Sequence, residues 1–389
     1  MSATVRSVAL NALFLAPGES GGPETYLRGL VPALAGEYPG IDLHLFTTRA
    51  GARALDAEGW GEIVRLHPLP ADEYRRVRRQ LSEQIILPLA ARRCGATVLH
   101  NLASTGPALT PGLATVLTLH DVTFMQMTTF GRATTWGMAR VVRLAARDAD
   151  ALITASAGAR DEICAALGVA ATDFQVVPHG VSVNSGPAPE EEGPVRAAFG
   201  LQDRRLVLCV GALRPHKNQE LLVRAAPLLP DDVKILLVGH QEPYAESLRH
   251  LTRELACEDR VEMAGYLPES RLERLWVMAG CAAFPTRAEG FGLPLVEAMA
   301  RGVPVACSDI PVLREVGGEV PSYFDPEDPR SAAEAITACL ADPARGAGGR
   351  ERAERFSWPE AARGTMEAYE RALAGSRGSA GRLGGGLSF

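Results

Sequence analysis

Short apolar runs alternate along this chain with longer stretches in which apolar residues recur at helical spacing. Residues 8–15 are predicted as a buried strand. A Gly-rich turn follows over residues 17–23, then a helix to about Tyr38. Residues 41–47 form a second strand. Residues 73–93 have helical periodicity, which Pro88 should bend or break. Residues 97–100, 115–119, 151–154 and 174–177 are short apolar strands with helices in the gaps. Continuous apolar strands alternating with helices indicate a parallel sheet covered on both faces.

Residues 182–193 (SVNSGPAPEEEG) are rich in Pro, Gly and Glu and read as a linker. After them the pattern restarts. Residues 206–210 are a strand, 211–217 a loop and 218–229 a helix; 233–238, 261–263, 281–284 and 303–307 are further strands. Each half opens as strand, Gly-containing loop, helix. The predicted fold class is α/β, with two doubly wound domains, 1–182 and 190–356, facing a central cleft. Residues 375–389, rich in Gly, Ser and Arg, read as a disordered tail. In open α/β sheets ligands sit at the C-terminal ends of strands, so the loops after strands are where chemistry is expected.

Composition narrows the class. A length of 389 residues exceeds one ordinary core, and the net charge of −6 argues against a general nucleic-acid binder. Lys217 and Lys234 are the only lysines, so Lys217 stands out where it falls. The seven cysteines contain no CxxC pair and lie mostly in apolar stretches, which predicts reduced thiols and a cytoplasmic setting. Residues 8–16 are apolar but short, and read as a core strand rather than a signal peptide. No apolar run approaches the ~20 residues that span a bilayer.

The strongest local signal is the segment from Pro285 to Glu297, PTRAEGFGLPLVE. Gly290 and Gly292 let the backbone turn sharply beside a ligand, and Pro294 suits a first helical turn. The helix N-terminus then offers free N–H groups to a diphosphate. Glu289 can reach a sugar, and Glu297, one turn inside, can accept from ribose hydroxyls. The second signal is GALRPHKN from Gly211 to Asn218, also after a strand. Arg214 can grip phosphate as a fork and Lys217 as a point charge, without a metal. The third is the glycine-rich turn containing Gly21 and Gly22. It is not GxGxxG, and Asp42 is poorly placed for a dinucleotide ribose. The fourth is His120 in LHD, at a strand end, within reach of a sugar hydroxyl or a reacting centre. Each has a plainer alternative: a Gly-rich turn, a solvated basic loop or a structural histidine. The Arg-rich helix (Arg75, Arg76, Arg78, Arg79, Arg92, Arg93) fits either a solvated face or contact with an anionic lipid or acceptor. His179-Gly180 marks a hinge and is assigned no chemistry. HExxH, GxxxxGK[ST] and metal-spaced Cys/His clusters are absent from the sequence.

At these residues the chain resembles the GT-B retaining glycosyltransferases of family GT4. The family's E-x7-E stands as Glu289 and Glu297 in EGFGLPLVEAMA. Its Arg…Lys pair matches Arg214 and Lys217, its Gly-Gly loop Gly21 and Gly22, and its histidine His120. The resemblance spans roughly residues 8–372. It implies a GT-B fold and a nucleotide-diphosphate-sugar donor (UDP-, GDP- or dTDP-sugar) held by the second domain. Gly211, Arg214 and Lys217 would bind the diphosphate, and the backbone of Gly290, Phe291, Gly292 and Leu293 would line the donor. Glu297 would bind ribose, Glu289 the transferred sugar, and His120 would sit by the anomeric carbon. A C-terminal helix at about 357–373 would return to the N-terminal, acceptor-binding domain. One departure is His179-Gly180 in place of the usual Asn-Gly.

The expected activity is retaining hexosyl transfer to an acceptor hydroxyl, first in cell-envelope polysaccharide or glycolipid assembly and second on a secondary metabolite. A nucleotide-sugar epimerase and a non-catalytic nucleotide-sugar-binding subunit are the rivals. No cofactor and no metal are expected. The partners are the donor and a carbohydrate, lipid-linked or small-molecule acceptor, with no nucleic acid. The location is cytoplasmic, with peripheral membrane contact left open.

Overall fold

A computed structural model of the chain describes residues 5–18, 21–71, 76–126, 132–182, 188–241 and 243–380. The chain divides into two compact units, Met1–Gly180 with Trp358–Phe389, and Val181–Ser357. Glu19 and Ser20 of the first Gly-rich turn, Arg75 of the Arg-rich helix, residues 183–187 of the expected linker and residues 381–389 of the expected tail lie outside the described residues.

The first unit holds a seven-stranded parallel sheet in the order β3-β2-β1-β4-β5-β6-β7. Its strands are β1 (Ser7–Ala12), β2 (Asp42–Thr47), β3 (Arg65–Pro68), β4 (Val98–Asn101), β5 (Ala114–Thr118), β6 (Ala151–Thr154) and β7 (Phe174–Val176). Strands β1, β4, β5 and β6 are buried along their whole length, as a sheet covered on both faces requires. One covering layer pairs the first helix, Gly22–Glu37, with the C-terminal helix, Trp358–Ala380. The two meet so closely at Gly29 that a Cβ there would lie 1.9 Å from the Trp358 ring. Tyr369, fully buried, bonds through its hydroxyl to His100 Nδ1 at 2.8 Å.

The second unit repeats the plan with six parallel strands in the order β10-β9-β8-β11-β12-β13. They are β8 (Arg205–Val210), β9 (Val233–Val238), β10 (Val261–Gly265), β11 (Ala279–Phe284), β12 (Val305–Ser308) and β13 (Ser322–Phe324). Its own core joins Val207, Leu222, Ile235, Cys281 and Ile336.

Four sequence expectations need correction. Two edge strands, β3 and β13, are additional to the strands predicted. The helix expected over 73–93 is α-helical at Arg76–Leu81 and Leu87–Arg93, with a wider π turn at Ser82–Ile86 between them. Pro88 has no N–H for the preceding turn, and the chain answers by widening rather than breaking. The linker ends earlier than expected, because Glu192–Ala198 is a helix and Glu190 is anchored to Arg271 at 3.0 Å. The tail begins later, since the C-terminal helix continues to Ala380. All seven cysteines are free; five are buried and Cys94 and Cys164 are half-buried. Among the described residues no helix is long and apolar enough to cross a membrane.

Candidate functional site

Strand order reverses between β8 and β11, and the loops after these two neighbouring strands carry the two strongest sequence motifs. Such a switch point is where doubly wound sheets open a ligand crevice. The loop after β8 leaves through Gly211 at φ 150°, runs past Arg214 and turns at Pro215–Lys217. Asn218 then takes a left-handed φ of 54°, rare for a residue with a side chain. Its amide Nδ2 donates to Pro285 O at 3.0 Å and Pro326 O at 2.8 Å. His216 O accepts from Thr286 Oγ1 at 3.0 Å and from Arg287 N at 2.8 Å. The two loops are thus bolted together through main-chain carbonyls.

This clamp sets Lys217 against Glu289, with Nζ 2.5 Å from Oε1 and both side chains largely buried. The loop after β11 then buries Phe291 edge-on against Phe356, so Phe291 can meet a ligand only through its backbone. Gly292 caps the helix Leu293–Ala300 at φ 90°, and a Cβ there would lie 2.8 Å from Leu313 Cδ2. Only glycine meets both conditions. The helix N-terminus beyond it presents amides without helical partners. Glu297 sits about 6 Å further along the helix axis. Burial pushes its carboxyl up, opposed by nearby Arg301, which itself pairs with Glu273. Arg214 is exposed on the same loop as Lys217.

In the first unit Gly21 caps the first helix at φ 58° ψ −135°, and a Cβ on Gly21 or Gly22 would meet open space. Glu24 secures the turn: its Oε2 accepts from Gly18 N at 2.9 Å and its Oε1 pairs with Arg28 at 2.9 Å. Gly21 and Gly22 therefore belong to a different unit from the other donor candidates. His120 follows β5. Its Nε2 lies 2.9 Å from Leu102 O, and a carbonyl only accepts, so Nε2 carries the proton. Burial lowers its pKa, so the ring is held neutral with its lone pair on Nδ1. His179 packs on Tyr26 and stacks on Trp358, at 4.7 and 6.1 Å between ring centres.

Sequence reading missed the clamp residues Asn218 and Thr286, and a buried polar cluster at the first unit's own switch point between β1 and β4. There Asn11 Nδ2 donates to Glu83 Oε1 and to Asn101 Oδ1, both at 2.9 Å, and Thr105 Oγ1 donates to Glu83 Oε1 at 3.1 Å. Burial pushes the Glu83 carboxyl up. The sequence signal was a glutamate on the apolar side of the Arg-rich helix. Among the described residues one His/Cys/Asp/Glu group is close enough to hold a metal: His44, His67 and Cys94, gathered from segments with no metal-binding spacing.

Two family models match. The one described as Glycosyltransferase Family 4 covers residues 20–185, and Glycosyl transferases group 1 covers residues 195–358. The chain belongs to the GT4-type glycosyltransferases of GT-B fold. O-antigen chain mannosyltransferase B of Escherichia coli is 32% identical over 47% of this chain and 50% of its own length. The GDP-mannose-dependent alpha-(1-6)-phosphatidylinositol monomannoside mannosyltransferase of Mycolicibacterium smegmatis is 31% identical over 56% and 61%. The chain thus spans about half to three-fifths of these curated relatives. Solved structures share the fold. Sucrose-phosphate synthase of Thermosynechococcus elongatus superposes with TM-score 0.74 at 24% identity, covering 95% of this chain and 99% of its own. Anabaena HepE in complex with UDP and glucose gives 0.73 at 20%, covering 93% and 98%.

Proposed function

We propose that this GT4-type chain transfers a hexose, mannose foremost, from a nucleotide-diphosphate sugar to an acceptor hydroxyl with retention, in cell-envelope polysaccharide or glycolipid assembly. The observation that carries this reading is the Lys217–Glu289 pair at the β8/β11 switch point, beside a Gly292-capped helix N-terminus. The matched relatives named as mannosyltransferases support the sugar class.

In this mechanism the donor diphosphate engages Lys217, Arg214 and the free amides of the helix at Leu293. Taking up Lys217 releases Glu289 to accept from hydroxyls of the sugar. Glu297 accepts from the ribose. The C1–O bond to the diphosphate breaks, and fixed positive charge stabilises the leaving oxygen. The acceptor oxygen bonds C1 on the face that the diphosphate vacates, and its proton passes to a diphosphate oxygen. His120, neutral with a lone pair on Nδ1, accepts a hydrogen bond near C1. Two side-chain cations and the helix terminus do the work a divalent ion would do, so added Mg2+ should not raise turnover.

The polar cluster around Glu83 supports acceptor binding by the first unit. The stripe Leu81, Ile85 and Leu89, with Arg78, Arg92 and Arg93 beside it, supports peripheral contact with the cytoplasmic membrane face. Co-sedimentation with phosphatidylglycerol vesicles, lost on replacing the three apolar residues with serine, checks that contact.

The test of the main reading is a panel of UDP-, GDP-, dTDP- and ADP-sugars with mono- and lipid-linked saccharide acceptors, followed by mass spectrometry and NMR of the product anomer. Transfer with retained configuration from one donor is expected. Lys217→Ala should lose most transfer while keeping its fold. Isomerised or free sugar formed without acceptor, or near-normal transfer by Lys217→Ala, would overturn the reading.

A further inference from the structure

A third constellation lies on the opposite edge of the first sheet from β7, and the transfer chemistry makes no use of it. His44 is the third residue of β2, His67 the third of the edge strand β3, and Cys94 caps the helix Leu87–Arg93 that covers this face of the sheet. One ligand atom from each lies within 4.8 Å of the other two. His44 Nδ1 and His67 Nε2 are 2.9 Å apart. A tetrahedral Zn2+ with Zn–N near 2.0 Å and Zn–S near 2.3 Å needs its donors about 3.3–3.6 Å apart. Side-chain rotations that change the donor separations by up to about 1.3 Å would bring this trio to that spacing.

Protein contacts alone satisfy the trio poorly. Two imidazoles share a single hydrogen bond through His44 Nδ1 and His67 Nε2, and His44 is only 2% exposed, so little water is available to either facing nitrogen. At 2.9 Å one of the two facing ring nitrogens must accept through its lone pair. Arg65, two residues before His67 on β3, would repel a cation, but Asp42 pairs with it at 3.1 Å and offsets that charge. The Cys94 thiol is half-buried and donates to Ala91 O at 3.1 Å. His67 is half-buried too, which leaves a path from solvent and room for water as a fourth ligand.

We propose that His44, His67 and Cys94 form a structural site for a thiophilic divalent ion of the Zn2+ class, pinning the edge strand β3 to the helix Leu87–Arg93. One thiolate and two imidazoles select Zn2+ over Mg2+ or Ca2+, which prefer oxygen ligands. Binding converts the Cys94 thiol to thiolate and releases one proton to solvent, with no change of oxidation state. The ion would secure a short polar edge strand, whose exposed backbone groups are a liability in any sheet. Cys94 approaches from the side of the sheet where β4 begins, whereas the loop with His120 lies where β5 ends. The site is therefore structural and separate from transfer.

The test uses the full chain stripped of metal and titrated with Co2+, then Zn2+. One equivalent of Co2+ should give visible d–d bands and a near-ultraviolet sulfur-to-cobalt band, and Zn2+ should displace it. Cys94→Ser should lose the sulfur band. Cys94→Ser and His67→Gln should each bind Zn2+ about tenfold more weakly or worse. Zn2+ should raise the melting temperature of the wild type and not of Cys94→Ser, with the two metal-free circular dichroism spectra alike. A wild type without the sulfur band, or a band that survives in Cys94→Ser, overturns the proposal.

Discussion

Lys217 and Glu289 occupy the same few ångströms, and their pairing gives each a dual part. In the proposed mechanism the ion pair holds the ammonium where a diphosphate would meet it, and a bound donor then frees the carboxylate. Glu289→Gln should leave the fold intact and lower transfer by about tenfold or more, the loss of a charge-assisted contact worth about 1.5–3 kcal/mol. Steady-state kinetics reads this as a fall in kcat. Histidines give a second prediction at this scale. Burial holds His100 down to about 3, with both ring nitrogens engaged by Tyr369 and Thr118. Its unfolded pKa is near 6.5. The native state therefore binds fewer protons, and the stability this histidine contributes is present above about pH 6.5 and lost as pH falls. His120 and His179 act in the same sense; the raised carboxyls Glu83 and Glu297 act in the opposite one. Melting temperature should fall from pH 7 to pH 5. The slope should be shallower in His100→Gln, by up to about 2 kcal/mol over pH 6.5 to 5. Lys217 was legible because lysine is so scarce here. Asn218 and Thr286 were not, because their partners are carbonyls of Pro285, Pro326 and His216, which no local pattern announces.

Among the elements, the buried strands were plain in the sequence, and so were the edges β7 and β10, but the edges β3 and β13 were not. Strand β3 reads Arg-Leu-His-Pro, polar and closed by proline, and β13 has three residues. Edge strands lack the continuous apolar run that marks a central one, and a proline is tolerated there. The Arg-rich helix showed the right period but hid its π turn, which turns Glu83 inward. The helix Leu293–Ala300 depends on its cap. Gly292→Ala places a side chain at φ 90° and against Leu313, and should cost about 1–2 kcal/mol. Because the same residue aims the helix amides, affinity for a nucleoside diphosphate should fall with it. Chemical denaturation and calorimetric titration check the two effects separately.

At the scale of the whole molecule, the chain leaves its first unit at Gly180 and returns to it at Trp358. The returning helix contributes Trp358, Ala362, Tyr369 and Ala372 to the first unit's core. A chain ending at Ser357 should lose the folded first unit, seen as loss of its cooperative transition and exposure of apolar surface to dye. Trp358→Ala in the full chain should cost about 3–5 kcal/mol. The second unit has its own core and sheet, so residues 181–357 expressed alone should fold and retain nucleotide binding. The two-domain pattern could be read from the restart after residue 193. The embrace by the last helix came only from resemblance, since an amphipathic helix does not say which sheet it will cover.

The central claim is that Lys217 and its clamped loop hold a diphosphate, and calorimetric titration of wild type and Lys217→Ala tests it most directly. Each would be titrated with UDP, GDP, dTDP and ADP, and then with the nucleoside of whichever binds. One preferred diphosphate is expected, weakened about 10–100-fold by Lys217→Ala, with nucleoside binding unchanged. A diphosphate that binds both proteins equally, or no binding by the wild type, would contradict it.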